Sequence, residues 1–115
     1  LVNDKSWEVR RNAAIALEMH GDNSSSKSLS SAISDLHWQV RKFSMRALTK
    51  VLSEEYLGKI VTLLCDDYSD VRKEAAIALG LLGSKKAIPS LKQSLDDADI
   101  EVRIQSQKAL EKLNV

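Results

Sequence analysis

One cysteine, one proline, four glycines and five aromatic residues are all that this 115-residue chain carries of those types. The single thiol, Cys65, excludes an internal disulfide framework and agrees with a reducing compartment. The single proline removes the main obstacle to extensive helix. No apolar run approaches the roughly 20 residues that cross a bilayer, and no signal-peptide pattern opens the chain. The expectation is a soluble cytoplasmic protein. Neither sign of charge dominates: 17 basic residues face 16 acidic ones, for a net charge of +1. Nothing global therefore draws the chain to nucleic acid or an anionic membrane, and only a local patch could do so.

What the chain does have is aliphatic. Hydrophobic residues make up 43% while aromatics make up 4%, so a core must be built from Leu, Ile, Val and Ala. Such residues suit helices, because Ala and straight-chain side chains lose little freedom on coiling. The dipeptide Val-Arg recurs at Val9-Arg10, Val40-Arg41, Val71-Arg72 and Val102-Arg103, 31 residues apart each time. An Asp lies five residues before each Val, at Asp4, Asp35, Asp66 and Asp97. An Ala-Leu pair follows at Ala16-Leu17, Ala47-Leu48, Ala78-Leu79 and Ala109-Leu110. Several columns holding one period without a gap mark an internal repeat.

Within each repeat the apolar spacing is helical. Val71, Ala75, Ala78, Leu79 and Leu82 form one stripe, and Ala87, Ile88, Leu91 and Leu95 form a shorter second one. Long helices are predicted near 6–20, 37–52, 68–83 and 99–113, and short ones near 24–34, 55–65 and 86–96. Gly21 and Gly83 share a column and read as left-handed helix ends. The first short helix is crowded with serines, which compete for backbone hydrogen bonds, so it is predicted to be short or mobile. Val2 falls in the column of Ile33, Leu64 and Leu95, and the chain opens on Leu1 without a Met. Residues 1–3 thus read as the end of a truncated short helix, and the chain as one domain over 1–115 taken from a longer array.

The stretch Asp66-Asp67-Tyr68-Ser69-Asp70-Val71-Arg72-Lys73-Glu74-Ala75-Ala76-Ile77-Ala78-Leu79-Gly80-Leu81-Leu82-Gly83 resembles a HEAT repeat of the phycobilisome-lyase type. So does its continuation Lys86-Ala87-Ile88-Pro89-Ser90-Leu91. The resemblance covers nearly the whole chain and implies an all-α fold, a right-handed α-solenoid of about four repeats. It also implies a structural Asp–Arg ladder along the stack, joining Asp4, Asp35, Asp66 and Asp97 with Arg10, Arg41, Arg72 and Arg103. The family includes scaffolds, lyases and hydroxylases, so the resemblance does not choose a function. Deoxyhypusine hydroxylases, which are similar, place His-Glu directly after the Val-Arg to hold iron. Here those positions read Arg11-Asn12, Lys42-Phe43, Lys73-Glu74 and Ile104-Gln105, which excludes that activity for this segment.

Little else invites catalysis. His20 ends a long helix and reads as a core-edge residue, and His37 reads as solvated in a turn. Cys65 reads as a small packed residue and Asp66-Asp67 as a solvated turn. The residues predict no enzyme, no metal and no cofactor. What remains is the face of the long helices opposite the core, which in the resembled family lines the concave surface. It places Trp7, Arg11, Ile15, Met19, Trp38, Lys42, Phe43, Arg46 and Lys50 in the first two repeats. Lys73, Ile77, Leu81, Ile104 and Lys108 follow in the last two. Trp7 and Trp38 share a column and are predicted to lie side by side at the rim. The face carries seven basic residues against four acidic ones, counting Glu8, Asp70, Glu74, Glu101 and Lys112 with the rest. Apolar anchors among cations suit a protein or peptide partner of acidic character. The competing expectations are an accessory part of a phycobilin lyase and, with too few aromatics for a stacking platform, nucleic-acid binding. The partner's identity and the oligomeric state are not encoded in these features.

Overall fold

The computed structural model describes residues 6–20 and 26–114. Among them are seven α-helices and no strand. The long helices are α1 (Trp7–His20), α3 (Trp38–Leu48), α5 (Ser69–Leu82) and α7 (Ile100–Lys112). The short ones are α2 (Ser26–Ala32), α4 (Leu57–Leu63) and α6 (Ile88–Ser94). Single 3-10 turns, Glu54–Tyr56 and Lys85–Ala87, lead into α4 and α6. The chain divides into two compact units, Leu1–Leu52 and Ser53–Val115. In the first, α1 and α2 each pack on α3. In the second, α4 packs on α5, α6 packs on α7, and α5 packs on α7. Asp4, Val2, Gly21, residues 1–3 and the His20 side chain lie outside the described residues.

The repeated apolar columns build the cores. Val40, Ala47 and Leu48 are buried in the first unit, and Val71, Ala78, Leu79, Val102, Ala109 and Leu110 in the second. The serine-rich α2 is short, seven residues among those described, as are α4 and α6. Leu29, Ala32 and Ile33 are all buried, so three aliphatic contacts suffice to hold a helix of poor intrinsic propensity. Three expectations are corrected. Val9 is 50% exposed and Ala16 is exposed, because no described short helix covers α1 as α2 covers α3. Cys65 is exposed, since it follows α4 in a turn that points away from the core. His37 is not a solvated turn residue but the N-cap of α3, its ring half-buried.

Helix ends follow one column of the repeat. Gly83 closes α5 in the left-handed region at φ 78°, and its equivalent Asn114 follows α7 at φ 63°. Both residue types tolerate that region. The second repeat has Leu52 there, whose Cβ disfavours it. Accordingly α3 stops at Leu48, four residues short of that column, and Thr49 turns its hydroxyl back to the Arg46 carbonyl at 2.5 Å. Pro89 sits in the first turn of α6, where its missing N–H costs no helical hydrogen bond.

The polar columns tie neighbouring helices together. Arg10 donates to both carboxylate oxygens of Asp35, at 2.7 and 3.0 Å, and Arg72 does the same to Asp97, at 2.9 and 3.1 Å. Each pair is 25 residues apart. The arginines also grip their own turns: Arg41 donates to the Asp35 carbonyl, Arg72 to that of Asp66, and Arg103 to that of Asp97. The carboxylates of Asp35, Asp66 and Asp97 each accept the backbone N–H two residues on. Asp35 and Asp97 have side chains only 6% and 11% exposed. Such burial alone would raise their pKa values, but the Arg and backbone N–H donors outweigh it and hold both below the usual carboxylate value. The Asp97 carboxylate in turn raises Arg72.

Two features show how closely the cores are filled. A Cβ on Gly80 would lie 3.0 Å from both Cα and Cβ of Ala109, so glycine sets the approach of α5 to α7. Ser44 and Ser106, in the column where the third repeat has Ala75, are fully buried and their hydroxyls have no hydrogen-bond partner. Each leaves a desolvated polar group costing about 1–3 kcal/mol.

Two outcomes follow. Gly80→Ala improves helix propensity by about 1 kcal/mol, yet it forces a backbone shift costing about 1–3 kcal/mol. Urea unfolding is expected to show a net loss of stability. In acid, a carboxyl with a lowered folded pKa contributes stability above its unfolded value of about 3.9 and loses it as pH falls through the folded value. Stability is therefore expected to decline below about pH 4, with a shallower decline in Asp35→Asn and Asp97→Asn, read by thermal melts across pH.

Candidate functional site

The first unit gathers the chain's tryptophans and its phenylalanine on α1 and α3. At the start of these helices, Trp7 stacks face to face on His37, with ring centroids 3.8 Å apart and planes 3° from parallel. The Trp38 ring lies 6.4 Å from that of His37, with planes 16° from parallel. His37 thus makes ring contacts with both indoles. The His37 Nδ1 accepts the Gln39 N–H at 3.2 Å, which fixes the ring as a cap. The Arg11 guanidinium sits 5.0 Å over the Trp7 indole and donates to Gln39 Oε1 at 2.9 Å.

Further along the same two helices, Phe43 is half-buried between cations. Lys42 Nζ lies 5.3 Å and the Arg46 guanidinium 5.6 Å from its ring centroid. Arg46 reaches Glu18 of α1 at 3.8 Å, a partly exposed pair of small energetic weight. Ile15 is half-buried, Met19 is 77% exposed and Lys50 is exposed. A face of aromatic and aliphatic carbon edged by Arg and Lys can take up apolar side chains and carboxylates together. Residues 1–52 hold eight basic residues against five acidic ones, whereas residues 53–115 hold nine against eleven.

The second unit presents a different face. Lys73 and Ile77 are half-buried, Leu81 is 51% and Ile104 39% exposed, and Lys108 is exposed. Glu74, placed on this face by spacing, is buried. Ile77, Gly80, Gln105, Lys108, Ala109 and Lys112 surround a recess of only about 50 Å³, too small for a drug-sized ligand. On the opposite side, Val61, Leu64, Cys65, Ser90, Gln93, Ser94 and Asp97 line an open cleft of about 170 Å³ between α4 and α6. Among the described residues, no group of three or more His, Cys, Asp and Glu side chains is placed to hold a metal, and no helix is long and apolar enough to cross a membrane.

Sequence reasoning missed His37 and Glu18 as parts of this arrangement. The signal was present in the spacing: Arg11 and Gln39 are 28 residues apart, as are Glu18 and Arg46. Side chains on adjacent long helices thus meet three residues short of the 31-residue period, not at the period itself.

Comparison with known proteins comes to one family. A model described as HEAT repeats matches residues 26–111. No curated protein matches the chain.

The double role of His37 has a measurable weight. His37→Ala removes an N-cap worth about 1 kcal/mol and a ring stack worth about 0.5–1.5 kcal/mol. The variant is expected to lose about 2 kcal/mol in urea unfolding followed by Trp fluorescence. His37→Asn, which keeps the cap alone, is expected to recover roughly half of that loss.

Proposed function

The chain belongs to the HEAT-repeat family, and from that premise we propose that it is a non-catalytic scaffold that binds an acidic segment of a partner protein on the α1–α3 face of its first unit. HEAT repeats commonly serve as protein-interaction scaffolds. The observation that carries this reading is Phe43, an aromatic anchor left half-buried and bracketed by Lys42 and Arg46. Arg11 on α1 and Lys50 in the turn after α3 extend the basic rim, and Trp7 and Trp38 supply apolar surface at one end. Interface cores favour such aromatic and Arg groups, while charged rims set partner choice and approach rate. His37 supports a binding role over a catalytic one, because its Nδ1 is committed to capping α3 and its ring face to Trp7. The face of the second unit, with Lys73, Ile77, Leu81, Ile104 and Lys108, offers further contact area but no aromatic anchor.

The test compares wild type with Phe43→Ala/Arg46→Ala as bait in a native lysate, with mass spectrometry of what is retained. Proteins held by wild type and released by moderate salt are expected to be lost from the double variant. Helicity is expected to be unchanged and the melting temperature lowered only slightly, since Phe43 is half-buried and the Arg46 ion pair partly exposed. Equal capture by both proteins, or unfolding of the variant, would remove this face from the function.

A further inference from the structure

In the first unit the 28-residue spacing between neighbouring long helices pairs Glu18 with Arg46 at 3.8 Å. Two repeat periods further along the chain, the same two positions are Gly80 and Lys108. The cation is kept and the carboxylate is gone. The surrounding columns keep their character: Ile15 corresponds to Ile77, Ala47 to Ala109 and Lys50 to Lys112, while Phe43 gives way to Gln105. Where the acid and the ring are lost, Ile77, Gly80, Gln105, Lys108, Ala109 and Lys112 line the recess of about 50 Å³ between α5 and α7. Both of its walls belong to the second unit. The chain cannot restore an acid at this point. A Cβ on Gly80 would already lie 3.0 Å from Ala109 and 3.6 Å from Cδ of Lys112, so a longer side chain there would force α5 and α7 apart. Lys108 and Lys112 are exposed, and among the described residues no carboxylate pairs with either.

We propose that this recess binds one glutamate side chain of a partner polypeptide, which supplies from outside the carboxylate that Glu18 supplies within the first unit. Ile77, Gly80 and Ala109 give an apolar floor for the methylene groups of that side chain. The ammonium groups of Lys108 and Lys112 meet its carboxylate, and the Gln105 amide can donate a further N–H. Size limits the occupant to a single group. A cavity needs roughly 10–15 Å³ to hold one water, so about 50 Å³ admits a carboxylate with little room to spare. The flanks favour a polypeptide over a free anion. Leu81 is 51% exposed and Ile104 39% exposed, next in sequence to Gly80 and Gln105, and both offer apolar contact to the residues on either side of the glutamate. Such contact matters because an exposed ion pair alone contributes little. None of these residues belongs to the first unit, so the site is independent of the Phe43 face.

The probe is the peptide acetyl-Ala-Leu-Glu-Leu-Ala-amide, whose blocked ends leave a single carboxylate. It is titrated into the full chain and followed by amide chemical shifts. Saturable shifts are expected at Gly80, Gln105, Lys108 and Lys112, with a dissociation constant in the millimolar range. The same peptide with Gln in place of Glu is expected to bind at least about tenfold more weakly. Lys108→Gln/Lys112→Gln is expected to lose the saturable shifts while keeping its helicity and melting temperature, since both side chains are exposed. Sodium acetate over the same concentrations is expected not to saturate these amides. Absence of saturable shifts in wild type would overturn the proposal, as would equal binding by the Gln peptide or by the double variant. Acetate that saturates the same amides at the same concentration would also overturn it, as the mark of a small-anion site only. Shifts confined to α1 and α3 would overturn it and leave the first-unit face standing. Phe43→Ala/Arg46→Ala is expected to bind the peptide at Gly80 as wild type does, which separates this site from the one proposed for the acidic segment.

Discussion

Everything in the arrangement depends on a single kind of contact: an arginine in the first turn of a long helix that is held by an aspartate or by the turn before it, and in Arg72 by both. In the second unit Arg72 holds the carbonyl of Asp66, six residues back, and the carboxylate of Asp97, 25 residues ahead. Arg10 makes the forward contact to Asp35, while Arg41 and Arg103 make the backward one. The aspartates complete the motif by accepting the N–H that opens the following helix. Hydrophobic contact is not directional, so aliphatic stripes alone would allow two helices to slide by a turn. A bidentate, poorly hydrated ion pair does not allow that. It is for register, more than for net stability, that such buried charge is worth its desolvation.

Most of the architecture could be read from the residues because it is written in columns. The alternation of long and short helices, their membership of the HEAT family and the aliphatic core all follow from side chains that repeat with the period. Even the exception at the end of α3 is legible once Gly83, Asn114 and Leu52 are compared, since only Leu pays heavily for a left-handed backbone. The misreadings share one physical cause. A column predicts which way a side chain points, but burial depends on what stands opposite. Val9 and Ala16 point as Val40 and Ala47 do and are nevertheless exposed. Cys65 follows the final buried leucine of α4 and is turned outward. His37 has no column-mate of its type, so the period was silent about it, and its stack on Trp7 emerges only when two helices are brought together.

The candidate face illustrates the same limit from the other side. Position on the non-core side of the long helices was predictable for Trp7, Arg11, Lys42, Phe43 and Arg46. Their grouping was not, because it rests on contacts spaced 28 residues apart. Those contacts leave Arg11 and Arg46 partly engaged with Gln39 and Glu18. A carboxylate arriving from a partner therefore competes with half-buried internal contacts and meets cations already oriented. That is a favourable condition for specificity, since orientation is settled in advance and little internal energy is forfeited.

The distribution of ties along the long helices also has a mechanical meaning. In the first unit α1 and α3 are pinned near their N-terminal ends by Arg10 and Asp35, while toward their C-terminal ends the polar link is the loose Glu18–Arg46 pair. In the second unit the N-terminal ends are pinned likewise, but Gly80 lets α5 lie directly on Ala109 of α7. The first pair thus carries its charged tie at one end, like a rivet, with Met19 and Arg46 toward the other. The second adds a backbone-close seat to its rivet.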